Sequence, residues 1–573
     1  MPEAIPSQQA SSNKPIWYFL LFWTLLNTLQ AYTLELHGDE AYYWVYSRFL
    51  DWGYFDHPPM VAVFIRIGDS IMHNELGLRL LTVITSSASI YLLWLILKKY
   101  NAGAKWFMLV ISGLFIFHIY GFTTTPDSPL LFFTVLFYYF YQRYINEDKW
   151  SLAFILAIVS AGLLYSKYHG IILIGLTILS NIKLLKRASF WLIAVGAMAL
   201  FLPHILWQIN HGFPSVKYHL FDRSASVYHL DFTTLYPLGQ LAMAGPLIGW
   251  FLFYSAAKTK VSDAFVRCLM VNFVGTFLFF LLSTFKGEVQ PHWTLIAFVP
   301  LLMLAIIRFS QHGNLPKWFY GLAVANIALI LFIRSALLFQ YPFVMNIGQF
   351  KSYFGFRDWT KRVHEKAGDS YVIIRDGFQD PSKYNYYTNS TKCMSYDSRY
   401  YRKTQYDIWS IEDSLQHKRV YFLQDGPEKG VTTDSVVDEY DRKYYSGWVD
   451  DVRTYQQVDI DMVPEKLKAS PGQLIRFNLT IHDPYKHAIS FGDSSNLHKA
   501  FLEACFFQDG DIKYSCKADS VFNAINIDAG ATAKYTFAVK APVKKGKYDL
   551  FFSIRTDPFP GSKNSAEISF EVQ

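Results

Sequence analysis

The chain has 573 residues, 52% of them hydrophobic, and a formal net charge of +7 scattered through short polar stretches. That composition excludes a disordered protein. The scatter of charge excludes a nucleic-acid binder, which would gather its lysines and arginines on one soluble face. About eleven apolar stretches of roughly 15 to 20 residues between Trp17 and Ala336 exclude an ordinary water-soluble core, because each approaches the length that crosses a bilayer as helix.

In chain order, the stretches predict spans near 17–34, 80–97, 105–119, 128–144, 150–165, 168–182, 189–209, 237–256, 265–283, 292–307 and 317–339. The first lacks a small-residue cleavage site and reads as an anchor rather than a removable signal. Lys98, Lys99 and Lys105, then Arg143 and Lys149, then Lys183, Lys186 and Arg187, then Lys258, Lys260 and Arg267, then Arg308 and Lys317 fall in alternate loops. The positive-inside rule assigns those loops to the cytoplasm. The N-terminus is then cytoplasmic. An odd number of spans places the C-terminal part outside, in a periplasm or lumen. The remaining loops hold most of the unusual residues, so chemistry is expected at the outer face. A transporter would more often place ionisable residues at the midplane.

The first outer loop carries Asp39 and Glu40. With Asp39 at the cap of a short aromatic helix that includes Tyr43, its carboxylate would point into a cavity while Glu40 turns elsewhere. Gly53 permits unusual dihedrals and Pro58 and Pro59 stiffen the turn that holds His57. Arg66 and Arg79 follow. Asp127 sits in the next outer corner, where it is either a plain helix cap or the partner of Asp39 at the mouth of one cavity. Two carboxylates there could bind a divalent metal, or one could activate a hydroxyl while the other orients it. Lys167 and His169 supply a cation suited to a lipid phosphate, a snorkelling lysine being the alternative. His204, Trp207, His211, Lys217 and His219 follow the seventh stretch, and Lys286, Glu288, His292 and Trp293 precede the tenth. The histidine spacing is too irregular for a helical zinc site.

The tail is read as a small α/β part over 346–460 and a β-sandwich over 461–573, behind a membrane domain at 1–345. Strand candidates lie at 371–375 and 419–423, with a polar helix at 358–367. Later, 474–479, 532–539, 548–554 and 566–572 alternate apolar and polar residues. Cys505 and Cys516 could pair in an oxidising compartment, with two free thiols as the alternative.

The motifs GDEAYYWVYSRFLDWGYFDHPP at 38–59, TPDSPL at 125–130, LLYSKYHG at 163–170, LPHILWQINHGFPS at 202–215 and PHW at 291–293 resemble the GT-C superfamily of membrane glycosyltransferases. The resemblance is to its bacterial branch related to dolichyl-phosphate-mannose protein mannosyltransferases and lipid A aminoarabinose transferases. It implies a polytopic all-α membrane fold with about eleven transmembrane helices, carrying the α/β domain and terminal β-sandwich. It also implies a bacterial inner-membrane location and a polyprenyl-phosphate sugar donor. The acceptor would be a lipid, a glycan or a protein. By resemblance Asp39, with Glu40 beside it, matches the catalytic acid pair, and Asp127 the second acidic residue. Lys167, Arg66, His211 and Lys286 are the candidates for the donor phosphate. Tyr43, His57, His169 and His292 are candidates for the sugar or acceptor pocket. No cofactor is required, although a divalent metal between Asp39 and Asp127 is compatible with the pair. The rival readings are a lipid-pyrophosphate oligosaccharide ligase or polymerase and a lipid or glycan transporter.

Overall fold

The computed structural model describes residues 13–573 except 224–226, 313–314, 346, 429, 463–465 and 493–498. It divides into two compact units, Met1–Ser352 and Tyr353–Gln573.

The first unit is helical. Among the described residues, five helices are long and apolar enough to cross a membrane: Glu75–Tyr100, Ala188–Asn210, Ala264–Ser283, Pro291–His312 and Lys317–Leu338. A sixth would be Leu230–Ala244 with Gly249–Ala257, which are bent by 95°. The expected bundle of about eleven spans is therefore corrected to five, or six with the bent pair. The reasons are local. The stretch 105–119 breaks at Leu114 into Ala104–Gly113 and Phe115–Ile119. The stretch 168–182 yields only the 11-residue helix Gly170–Ser180. The helix Lys14–Thr33 spends polar residues on its neighbours: Asn27 and Gln30 accept hydrogen bonds from the buried Arg334 at 2.9 and 3.4 Å. A run of apolar letters counts residues, whereas a span needs an unbroken, uniformly apolar helix.

The segment Leu295–His312 lies at the centre of the unit, buried on almost every side. The helix Ala188–Asn210 is peripheral. It exposes Trp191, Val195, Met198, Leu202 and Leu206, which recur every three or four residues and so form one apolar stripe suited to lipid. The chain is a polytopic membrane protein.

The second unit begins with a five-stranded sheet in the order Cys393–Tyr396, Tyr371–Arg375, Val420–Gln424, Lys443–Val449, Asp434–Val437. The first three strands are parallel. The helix Phe356–Ala367 packs Trp359 and Val363 into the same core as Val372, Ile374 and Leu423. The remaining strands form an open five-stranded sheet, a three-stranded sheet and a two-stranded sheet around Phe477, Phe537 and Phe552. The expected terminal β-sandwich is thereby corrected to open, unclosed sheets. The edge strand Asp511–Lys517 shows why closure fails, because its charged, exposed Asp511, Lys513 and Lys517 discourage another strand from pairing. Cys505 and Cys516 are free. Cys516 pairs with Ala504 and Cys505 with Ser515, so the offset of one residue puts the thiols on opposite faces of the sheet.

A buried carboxyl pair in this unit makes its stability depend on pH. Burial, and next the Asp407 carboxylate, raise the Asp397 carboxyl well above its ordinary value, and burial raises Asp407 as well. The folded unit therefore holds a proton that the unfolded chain releases at about pH 4. The contribution of this proton to stability is full below that pH and is lost as pH rises to the folded value, at about 1.4 kcal/mol per pH unit. Hydrogen exchange of the full-length protein should show faster exchange at the strand Cys393–Tyr396 as pH rises, after correction for intrinsic rates. Asp397→Asn should flatten that slope, and an unchanged slope would remove the pair as its cause.

Candidate active site

The site is built on a buried ion pair. Arg79 is fully enclosed and donates to both oxygens of Glu40, at 2.8 and 2.6 Å. The same guanidinium donates to the carbonyls of Ala31, Leu34 and Glu35, which end the first helix and lead into the next. The Glu40 carboxylate also accepts from the backbone N–H of His37 at 3.1 Å and of Thr124 at 2.9 Å. One carboxylate thus ties together the start of the helix Gly38–Arg48 and the loop that leads to Asp127. Neighbouring residues on a helix diverge by about 100°, so fixing Glu40 inward turns Asp39 to the accessible side. The Asp39 side chain is 38% exposed. Its backbone N–H donates to His37 Nδ1 at 3.2 Å, which makes His37 the cap and corrects the expectation that Asp39 caps this helix.

Asp127 opens the helix Asp127–Asn146 without capping it. Both of its oxygens instead accept from Lys167 Nζ at 2.8 Å, and both residues are buried. Lys167 closes the helix Trp150–Ser166. Burial pulls its ammonium below the usual lysine range, and the Asp127 carboxylate opposes that fall. His292 Nε2 lies 4.0 Å from Asp127. Tyr43 lies in the field of Asp39, Asp56 and Asp127, so those carboxylates bound one region. Burial first, then those charges, raise the Tyr43 phenol well above its ordinary value, which keeps it a donor.

Histidines complete the wall. His57 meets Tyr43 edge-on at 5.7 Å and lies 6.0 Å from His219. Burial, and next the Lys167 charge, depress its pKa well below the ordinary value, so the ring is neutral. Its Nδ1 has no hydrogen-bond partner among the described residues, and neither has Nδ1 of His169. His169 lies against Phe280 and Trp293, at 5.0 and 5.9 Å. Arg223 lies over the Trp293 ring at 4.3 Å, and its charge acts on Lys167, His57, His219 and His292. The result is a water-accessible carboxylate beside a cationic wall. It can pair with an anion and accept a proton within one small space.

A family model described as dolichyl-phosphate-mannose-protein mannosyltransferase matches residues 56–207. The lipid A galacturonosyltransferase RgtD of Rhizobium johnstonii is 23% identical over 343 residues, which cover 55% of this chain and 70% of that protein. ArnT from Cupriavidus metallidurans superposes with a TM-score of 0.58 in its apo state, at 13% identity. Its structure bound to undecaprenyl phosphate gives 0.57 at 12% identity. Each superposition covers 76% of this chain and 98% of ArnT. Residues 56–207 thus resemble the mannosyltransferase family, and the superposed part of the chain shares the fold of ArnT.

The residues singled out from sequence separate into two groups. Asp39, Asp127, Lys167, Tyr43, His57, His169 and His292 share one region. Glu40 lies behind it, its carboxylate enclosed by Arg79 and backbone N–H groups. Arg66 lies on the exposed face of the helix Met60–Ile71, beside the exposed Val63 and Ile67. Lys286 is exposed on a loop, and His211 is exposed and stacked on Trp207 at 4.2 Å. The metal expectation does not fit. Lys167 takes both oxygens of Asp127, and among the described residues no three His, Cys, Asp or Glu side chains gather to hold an ion. Sequence reading missed Arg223 and Asp56. Arg223 gave no signal beyond its charge. Asp56, which accepts from the Tyr46 hydroxyl, lies inside the motif at 38–59 beside the more conspicuous His57.

Proposed function

We propose that the protein transfers a single sugar from a polyprenyl-phosphate donor to an acceptor, at the extracytoplasmic face of a bacterial inner membrane. The observation that carries this reading is the buried Lys167–Asp127 pair beside the accessible Asp39. Lys167, with Arg223 nearby, binds the carrier phosphate and stabilises the charge that develops as C1 leaves it. Asp127 holds the ammonium in place until the phosphate arrives. Asp39 takes the acceptor proton as the nucleophile attacks C1 from the opposite side, which inverts the anomeric centre. A phosphate leaving group needs little protonation, so no second acid is required. Glu40 positions Asp39 and takes no part in the chemistry. The lysine and arginine distribution supports an outer-facing site, and the tail then lies outside as well. The names of the relatives, which act on lipid A or were crystallised with undecaprenyl phosphate, fit this donor class.

The deciding experiment is turnover in nanodiscs with a panel of short-chain polyprenyl-phosphate sugars, following carrier-phosphate release by mass spectrometry. Release with one sugar would establish the reaction. Release only with pyrophosphate-linked glycans would favour a ligase. A second expectation concerns the cation. Lys167→Ala alone strands Asp127, so the informative variant is Lys167→Met with Asp127→Asn. It should weaken binding of undecaprenyl phosphate about tenfold to a hundredfold, the worth of a charge-assisted hydrogen bond of roughly 1.5–3 kcal/mol. Unchanged affinity in a titration would take Lys167 out of the phosphate site.

A further inference from the structure

Two of the apolar helices are discontinuous, and a single side-chain amide joins them. The helix Ala104–Gly113 stops before Phe115–Ile119, and Leu230–Ala244 turns by 95° into Gly249–Ala257. A break in a helix frees backbone groups that lipid cannot satisfy. At the first break the Gly113 carbonyl accepts from Nδ2 of Asn326 at 2.8 Å. At the second, the Leu247 N–H donates to Oδ1 of the same residue at 3.0 Å. A carbonyl needs a donor and an N–H needs an acceptor. A carboxamide offers both and brings no charge into the interior. Asn326 is fully buried, on the span Lys317–Leu338. The two breaks also touch directly. A Cβ at Gly245, whose φ is +124°, would lie 2.6 Å from the Gly113 carbonyl oxygen.

The same span holds the first break a second time. Arg334 lies about two turns beyond Asn326 and is likewise buried. Its Nη1 donates to Nδ1 of His118 at 3.2 Å. An arginine only donates, so His118 carries its proton on Nε2 and donates it to the Ser112 carbonyl at 2.9 Å. Ser112 is the other residue whose carbonyl the break leaves without a helical partner. The Arg334 guanidinium also lies 5.2 Å from the Phe122 ring, in the segment that leads to Asp127.

Each broken helix ends at a different side of the candidate site. Phe115–Ile119 runs through 120–126 to Asp127, which holds Lys167. On the way, Thr124 is tied to Glu40. Leu230–Ala244 carries Gln240, whose side-chain oxygen accepts from the hydroxyl of Thr294, next to His292 and Trp293 in the chain. The two sides meet where Tyr120 lies 6.3 Å from His292 and where His292 Nε2 comes within 4.0 Å of Asp127. A shift at the joint would therefore move one side against the other.

We propose that Asn326 is a positioning residue: it locks the two broken helices to each other and so fixes the spacing between the Asp127–Lys167 side of the site and the His292–Trp293 side. Its effect on rate rests on the sugar-transfer reading above, whereas its effect on the joint does not. Full-length Asn326→Leu, which makes neither bond, is compared with the parent in nanodiscs. Asn326→Ser, whose shorter hydroxyl replaces at most part of the amide, takes its place if the leucine variant does not fold. Hydrogen exchange should rise about tenfold at both 120–127 and 290–294 and stay at the parent's rate at 420–424. Single-turnover transfer should keep its amplitude, which counts folded sites, and lose about 10²-fold in rate. Amplitude lost at an unchanged rate would overturn the proposal, because Asn326 would then only stabilise the fold. Unchanged exchange at either segment would overturn it too. If the parent turned over no donor, the sugar-transfer reading would fall, and the exchange result would still decide whether Asn326 links the two sides.

Discussion

Asp39→Asn is expected to reduce sugar transfer by roughly 10²–10⁴-fold, the usual contribution of a positioned general base. The exchange keeps the size of the side chain and removes its ability to take a proton. Asp39 is the accessible member of the adjacent acid pair; its backbone N–H donates to the capping His37, and its carboxylate lies 3.7 Å from the same ring nitrogen. Folding should therefore survive the substitution, as should binding of undecaprenyl phosphate to Lys167. The measurement is single-turnover transfer in nanodiscs beside a donor titration on the same sample. Near-normal turnover would remove Asp39 as the base. Loss of donor binding in parallel with turnover would mean that the carboxylate orders the phosphate site instead.

Glu40→Gln is expected to act on stability. It leaves Arg79 buried with its charge uncompensated, a change that costs roughly 3–5 kcal/mol when one partner of an enclosed pair is removed. The loss should be larger than for an ordinary ion pair, because the same carboxylate also accepts from His37 and Thr124. A neutral amide can still accept from one N–H, but it cannot match the guanidinium. Thermal unfolding in detergent, read from tryptophan fluorescence, should fall well below the parent for Glu40→Gln and recover in part for Glu40→Gln with Arg79→Gln. A single variant as stable as the parent would show that the pair is not the clamp described. If Glu40→Gln were stable and inactive, Glu40 rather than Asp39 would be the residue to pursue as base.

These two expectations separate residues that sequence reading had joined. Asp39 and Glu40 are adjacent acids in one motif, and nothing in the letters says which faces water. The answer came from Arg79, 39 positions away from Glu40, whose guanidinium selects one carboxylate and buries it. Lys167 and Asp127 lie 40 positions apart, and each read alone had a plain alternative, a snorkelling lysine and a helix cap. Their mutual distance, fixed by the packing of two helices, removes both alternatives. Charge and a place in an outer loop are all that single out Arg66, His211 and Lys286 in the sequence. Those criteria cannot tell a residue on an exposed helix face from one turned toward the cluster.

The sequence by itself determined that the chain enters a membrane, that a strand-bearing unit follows, and which motifs resemble those of membrane sugar transferases. Those features are local: hydropathy within a stretch, strand alternation, and residue types at fixed spacing. The span count went beyond that reach. A helix that breaks at Leu114, or bends by 95° before Gly249, keeps an apolar composition while losing the continuity a crossing requires. Only the tertiary structure decided the span count, the open sheets of the second unit, and which of Asp39 and Glu40 is buried. Each depends on which distant group comes to satisfy a buried charge or an unpaired edge, and that is a property of the packed chain.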